Sequence, residues 1–457
     1  MPPSSTGVII LAHGQWFAEI AGVPLLHRVL LSSRKAGVRR WLVLTRPEAP
    51  WVQASLATAY RLREVTWQVY DLQAPDLGRL AAALPTDDVL VVTSPAVFDH
   101  RLLADLQESA SPTLCVTTAA GTTPADVVVQ DGLVVSSTTQ GAPAYRSTGI
   151  LRCSGPALGQ LLRQSWPQMC QSPAGATASA QGFGRPVPLP PDTALPQAVL
   201  LSGLLARTSV RALDVSRRLW VPITDPLDTS VASAETQLLR TLGREGDSVL
   251  VRMLDRRLSQ ALTRRLMRTP VTPNQITLVS AAIGISGAFL LAQPSQVLQI
   301  LGSLLFLLST IIDGCDGEIA RLTFQESEFG AKLDVIMDNI VHLFLFPSIA
   351  LGLYRREYHT LYFVLGGLSL GGILVSMAVY LPYLWRRQKV HSSLARLHEH
   401  LASRDFAYLL PVLALVDKLE WFLWATTIGT YLFAAAWVVL ALRERRQGHA
   451  LSGDEPS

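Results

Sequence analysis

The chain is 457 residues long, more than one ordinary domain holds, so two or three domains are expected. Hydrophobic residues make up 49 % and charged residues only 16 %, against a usual charged share of about 25 %, which excludes a chain that faces water throughout. A net charge of +4 is too small for the basic stripe of a nucleic-acid binder, and no nucleic-acid partner is expected. The shortage of charge is uneven. Residues 1–270 have a globular mixture, while residues 276–442 hold long apolar runs. Cys115, Cys153, Cys170 and Cys315 have neither zinc spacing nor a disulfide framework, which fits a reducing compartment. Residues 1–14 lack a basic start and an apolar stretch of leader length, so no secretory leader is expected.

In chain order, residues 8–11 read as a strand, 23–36 as a helix stopped by Gly37, and 41–44 and 88–93 as further strands. Short β-branched runs between helical stretches predict an α/β domain with a mostly parallel sheet. Residues 127–135, centred on Asp131-Gly132, predict a hairpin. Residues 171–196, rich in Pro, Gly, Ala and Ser, predict a loop, and a helical stretch follows Pro226.

Residues 247–268 form a basic amphipathic segment. Leu250, Leu254, Leu258, Leu262 and Leu266 recur every four residues, and Arg252, Arg256, Arg257, Arg264, Arg265 and Arg268 carry the charge. This pattern predicts a helix at an anionic membrane surface, the alternative being a helix packed on the soluble domain.

Apolar runs follow at 276–292, 296–312, 335–354, 361–385, 406–416 and 421–442. A spanning helix needs about 17–25 residues, so four or five runs qualify outright. The run 406–416 is short, with Asp417, Lys418 and Glu420 marking a tight turn; six spans are preferred. Basic residues cluster before the first span, around Arg321 and Lys332, across 386–404 and at Arg443, Arg445 and Arg446. The positive-inside rule then places both termini in the cytoplasm, in a multi-pass protein of the cytoplasmic membrane.

One stretch carries chemistry. Asp313-Gly-Cys-Asp316-Gly317-Glu-Ile-Ala320-Arg321 is followed, after eight residues, by Gly330 and then by Lys332, Asp334 and Asp338. Asp313 and Asp316 are three apart, and Asp334 and Asp338 four apart, so on helices each pair shares a face. Ionisable groups at a membrane boundary are costly and are functional by default. Four converging carboxylates need counter-charge, and hard oxygen ligands in this number suit Mg²⁺, Mn²⁺ or Ca²⁺, one or two ions able to clamp a pyrophosphate. Gly317, Ala320 and Gly330 leave room for a nucleotide against backbone, and Arg321 offers charge to phosphate.

These residues resemble the CDP-alcohol phosphatidyltransferase family. They fit its signature D-x2-D-G-x2-A-R-x8-G-x3-D-x3-D at all eight fixed positions, and residues 272–277, TPNQIT, resemble the approach to that family's first membrane helix. The resemblance covers roughly residues 245–445. It implies six membrane helices, a homodimer, and a cytoplasmic site that uses Mg²⁺ or Mn²⁺ to transfer a phospho-alcohol group from a CDP-alcohol to an acceptor hydroxyl, with CMP leaving. Asp313, Asp316 and Asp334 would be metal ligands. Asp338 would be a further ligand or the general base, and Gly317, Ala320, Arg321 and Gly330 would contact the CDP part.

Residues 8–44 resemble the start of a sugar-phosphate nucleotidyltransferase, a Rossmann-like α/β fold. Leu11-Ala12-His13-Gly14 is followed by Gln15-Trp16-Phe17, so the second Gly, the Arg and the downstream Pro-Lys of that family's loop are absent, while Gly22-Val23-Pro24-Leu25-Leu26-His27-Arg28 survives. A metal-binding Asp is expected near residue 93, but the chain reads Thr93-Ser94-Pro95-Ala96. Ser147-Thr148-Gly149-Ile150, Trp220-Val221-Pro222 and Ala234-Glu235 resemble later parts of the fold. A phosphate cradle needs glycine backbone and positive charge, and this loop has lost both.

The expectation is therefore an inactive nucleotidyltransferase-like domain at 1–240, an amphipathic helix at 245–270 and a membrane transferase domain at 271–445. The fusion resembles bifunctional proteins that make CDP-inositol and couple it to inositol phosphate. The alternatives are an active cytidylyltransferase domain, or a non-catalytic membrane protein that senses cytidine nucleotides. His13 reads as a surface or core histidine, and His342, one turn after Asp338, as a lesser candidate to line the site.

Overall fold

The computed structural model describes residues 6–11, 14–45, 50–71, 76–118, 126–136, 144–170, 196–224, 229–242, 256–385 and 405–451. The predicted loop at 171–195, His13, the upstream half of the amphipathic segment and the basic loop 386–404 lie outside them. The chain forms two compact units, divided between Thr241 and Leu242.

The first unit runs β1 (Thr6–Leu11), β2 (Glu19–Ile20), β3 (Val23–Pro24), α1 (Leu25–Lys35), β4 (Arg40–Thr45), α2 (Pro50–Thr58), β5 (Thr66–Asp71), α3 (Asp76–Ala83), β6 (Asp88–Val92), β7 (Ala96–Phe98), α4 (His100–Glu108), β8 (Thr113–Thr118), β9 (Val127–Gln130), β10 (Leu133–Ser136), β11 (Ala144–Ser154), α5 (Gly155–Cys170), α6 (Pro196–Leu205), β12 (Val210–Asp214), β13 (Trp220–Pro222) and α7 (Thr229–Thr241). Nine strands make one sheet in the order β5-β4-β1-β6-β11-β8-β12-β10-β9. Every residue of β1 is buried, as befits a strand covered on both faces.

Two expectations change here. The sheet is mixed rather than mostly parallel. β5, β4, β1 and β6 are parallel, but β11 runs antiparallel to both β6 and β8. Only seven residues separate the β9–β10 hairpin from β11, fewer than the dozen or so that a parallel crossover requires. The first helix begins at Leu25, not Val23, because Val23–Pro24 pairs with Glu19–Ile20 and Pro24 is extended at φ −53°, ψ 139°. The predicted hairpin forms. Asp131 (φ 50°) and Gly132 (φ 74°) both take the left-handed conformations that a two-residue turn demands.

The second unit is helical: α8 (Arg256–Leu266), α9 (Pro273–Leu291), α10 (Gln296–Thr323), α11 (Glu328–Glu357), α12 (Leu361–Trp385), α13 (Asp405–Leu415) and α14 (Leu419–Leu451). Among the described residues four helices are long and apolar enough to cross a membrane: α9, α10, α11 and residues 361–378 of α12. α13 is apolar but has only 11 residues. Asp417, at φ 58°, lies in the sharp turn between α13 and α14.

α9 opens with a capping box. The Thr272 hydroxyl accepts from the Gln275 amide, the Gln275 side chain accepts from the Thr272 amide at 2.9 Å, and Pro273 fills a first-turn position. α9 and α10 touch backbone to backbone where Gly287 faces Gly302. A Cβ on either would lie within 2.7 Å of the other's carbonyl oxygen. Close approach through small residues is how helices gain packing contact where no water is displaced. Leu345, Ile349, Leu365, Leu410 and Phe422 lie in the shared core.

α8 packs on the other helices of its unit. Leu262 and Leu266 pack against Cys315 and Ile319 of α10 and Ile276 of α9, while Leu258 stays half exposed and Arg257, Arg264 and Arg265 are exposed. Among the described residues of the segment, two leucines of the apolar face pack on α9 and α10 and one is exposed.

Candidate metal centre

α10 ends at Phe324 in a left-handed conformation, and α11 starts at Ser327, whose hydroxyl accepts from the Gly330 amide at 3.0 Å. The connection is only residues 324–327, so the two helices turn back on one another. Asp316 lies seven residues before the end of α10 (323 − 316) and Asp334 six after the start of α11 (334 − 328). At about 1.5 Å of rise per residue both sit roughly 10 Å from the turn, at matching height.

The outcome is a three-carboxylate group. Asp313, Asp316 and Asp334 each offer an oxygen, and these oxygens all lie within 4.8 Å of one another. Asp313 and Asp316 are buried, at 9 % and 8 % exposure. Asp338, expected as a fourth member, is exposed one turn further along α11 and lies outside this group. Three carboxylate oxygens within 4.8 Å of one another fit a hard divalent cation with oxygen ligands.

The small and basic residues of the motif lie on the same two helices as the group. A Cβ on Gly317 would lie 3.3 Å from a guanidinium nitrogen of Arg321, so this arginine folds back along its own helix. A Cβ on Gly330 would lie 3.1 Å from the Asn274 amide oxygen, which places the start of α9 beside the start of α11. Ala320 is half-buried.

The structure adds residues that sequence reasoning passed over. The Thr277 hydroxyl donates to Asp316, and the Ser280 hydroxyl lies 3.4 Å from Asp313 and 2.8 Å from the Thr277 carbonyl. Both come from α9, and the TPNQIT stretch was the one signal that pointed there. His342 packs among Phe306, Phe346 and Phe406, with ring centroids 5.7–6.3 Å away, as a core residue.

In the first unit the surviving nucleotidyltransferase-like motif serves the fold. Arg28, 3 % exposed, donates to the Ile20 carbonyl at 2.7 Å, and burial pushes its guanidinium down to about 10. Glu235 accepts from the Ala21 amide at 3.1 Å, so α1 and α7 together hold the β2–β3 turn. The shortened loop folds as a 3₁₀ turn over Gly14–Phe17, with Trp16 fully buried. Where a metal-binding Asp was expected, the Thr93 hydroxyl donates to the Gly149 carbonyl at 3.0 Å. Trp220 donates to the Thr148 carbonyl at 3.2 Å. Among the described residues, the first unit has no group of three metal-ligating side chains within reach of one another.

Comparison with known proteins bears on the helical unit. Residues 270–444 match the CDP-alcohol phosphatidyltransferase family model. The chain is similar to the bifunctional IPC transferase and DIPP synthase of Aquifex aeolicus, at 31 % identity over 34 % of each chain. It is also similar to the protein of the same name from Thermococcus kodakarensis, at 32 % identity over 38 % of this chain and 39 % of that one. The matched part spans little more than a third of the length of these relatives. Among solved structures, the inositol-1-phosphate CTP transferase from T. maritima aligns over 51 % of this chain and 95 % of its own, at 13 % identity and a TM-score of 0.37.

Proposed function

We propose that the helical unit transfers a phospho-alcohol group from a CDP-alcohol to an acceptor hydroxyl and releases CMP. The observation that carries this reading is the gathering of Asp313, Asp316 and Asp334 from two helices, inside a stretch that matches the family model. The three carboxylates would hold Mg²⁺ or Mn²⁺, which when bound supplies charge neutralisation for the pyrophosphate and for the departing CMP. Arg321, beside Gly317, gives the nucleotide phosphates a cation from the protein. Gly317, Ala320 and Gly330 leave the CDP part room against the helices. Asp338, exposed one turn from Asp334, would take the proton from the acceptor hydroxyl as its oxygen attacks the phosphorus bearing the alcohol, or serve as a further metal ligand. A new P–O bond forms, the pyrophosphate P–O bond breaks, and CMP carries away its electron pair.

In this reading the unit works in the cytoplasmic membrane, as a homodimer in contact with lipid, with α9–α14 as six spans and both termini cytoplasmic. The apolar character of α13 and α14 and the basic loops support that topology. The name phosphatidylinositol phosphate synthase, carried by a relative from Corynebacterium glutamicum that is 34 % identical over 20 % of this chain, favours an inositol-type substrate. The first unit is proposed to be inactive as a cytidylyltransferase, supported by the buried Trp16 and by the Thr93–Gly149 bond where an acidic ligand would be needed. The deciding experiment is a screen of CDP-alcohols and acceptors with purified protein in proteoliposomes. CMP release with a matching product supports the transferase. Nucleotide binding without CMP release from any pair would favour the sensor. Pyrophosphate release from CTP and a polyol phosphate, lost on a substitution in the first unit, would refute its inactivity.

A further inference from the structure

α10 has a second buried acid, Glu318, which lies outside the signature and which the transfer chemistry does not use. It is 4 % exposed. At roughly 100° per residue it lies on the face of α10 opposite the Asp313–Asp316 pair. There it meets α8. Ser259 donates to one carboxylate oxygen of Glu318 at 3.0 Å, and Thr263 donates to the other at 2.7 Å. Ser259 and Thr263 are four apart and share one face of α8. Cys315, fully buried one turn earlier on α10, lies with its sulfur 3.5 Å from the Ser259 carbonyl. Leu262, Leu266, Cys315, Ile319 and Ile276 surround the contact with apolar side chains.

We infer that Glu318 is a positioning residue: clamped by Ser259 and Thr263, it latches α8 onto the back of α10 and so holds Asp313 and Asp316 against Asp334. Three carboxylate oxygens within 4.8 Å of one another repel, and α10 and α11 are joined by only a short turn. A helix carrying two of those charges needs support from behind to stay in place before an ion arrives. A carboxylate this buried is stable only where donors meet it, so the α8 hydroxyls fix where α8 sits. Apolar packing alone would let α8 slide along α10, whereas two hydrogen bonds to one carboxylate set its register.

The positioning role rests on the proposed metal centre; the latch itself does not. The test uses full-length protein in detergent with two readouts. The first is the rate of maleimide labelling of Cys315, read on its own peptide by mass spectrometry. The second is Mn²⁺ affinity, read from the electron paramagnetic resonance of free Mn²⁺. The variants are Glu318→Ala, Glu318→Gln and the double substitution Ser259→Ala with Thr263→Val. The double variant breaks the same contact from the other helix if Glu318→Ala fails to fold. Glu318→Ala and the double variant are expected to label Cys315 at least tenfold faster and to bind Mn²⁺ at least fivefold more weakly. Glu318→Gln, which keeps one acceptor oxygen, should fall between them and wild type. Unchanged labelling in the double variant overturns the latch. Faster labelling with unchanged Mn²⁺ affinity overturns the positioning role. A wild-type protein that binds no Mn²⁺ overturns the metal reading, and the positioning role with it, while labelling still decides the latch.

Discussion

Thr277→Val removes the hydroxyl that α9 donates to Asp316 and leaves side-chain size nearly unchanged at a position only 2 % exposed. A hydrogen bond to a charged group contributes about 1.5–3 kcal/mol, and each 1.4 kcal/mol is about a factor of ten, so the loss corresponds to roughly 10- to 100-fold. Groups that orient metal ligands show costs in the same range. The effect should fall on the Mg²⁺ activation constant for CMP release. Ser280→Ala supplies the contrast. Its hydroxyl has one proton, and the Thr277 carbonyl at 2.8 Å competes for it against Asp313 at 3.4 Å. The donation to Asp313 is the weaker, so this variant should lose about threefold or less. The assay is CMP release in proteoliposomes titrated with Mg²⁺. An unchanged activation constant in Thr277→Val, or a larger effect in Ser280→Ala, would refute the assignment of Thr277.

Chelation should abolish CMP release and Mg²⁺ or Mn²⁺ should restore it; full turnover in excess chelator contradicts the role given to the carboxylate group. Asp313→Ala, Asp316→Ala and Asp334→Ala should each lower turnover to background in a protein that still folds in the membrane. Asp338→Asn should keep CDP-alcohol binding and lose turnover, and loss of binding instead would make Asp338 a ligand rather than a base. Glu235→Ala removes the acceptor of the buried Ala21 amide and should destabilise the first unit by about 1–3 kcal/mol, seen by calorimetry, while leaving CMP release intact.

The sequence by itself determined the features whose partners lie close along the chain. The carboxylate group was legible because Asp313 to Asp338 is a single helix–turn–helix stretch, so residue spacing translates directly into helix faces and matching heights. The Asp131-Gly132 turn needs only a few residues, and the hairpin appeared where it was read.

Only the tertiary structure decided the rest, because those contacts join residues that no local period connects. Thr277 meets Asp316 across 39 residues, Ser259 meets Glu318 across 59, and Ala21 meets Glu235 across 214. The sheet became mixed because β11 entered it from a hairpin, a matter of chain path rather than of strand composition. The pattern of α8 recorded that its apolar stripe is covered, and only the fold supplied the neighbours, Cys315 and Ile319, with two hydroxyls of α8 on the buried Glu318 carboxylate.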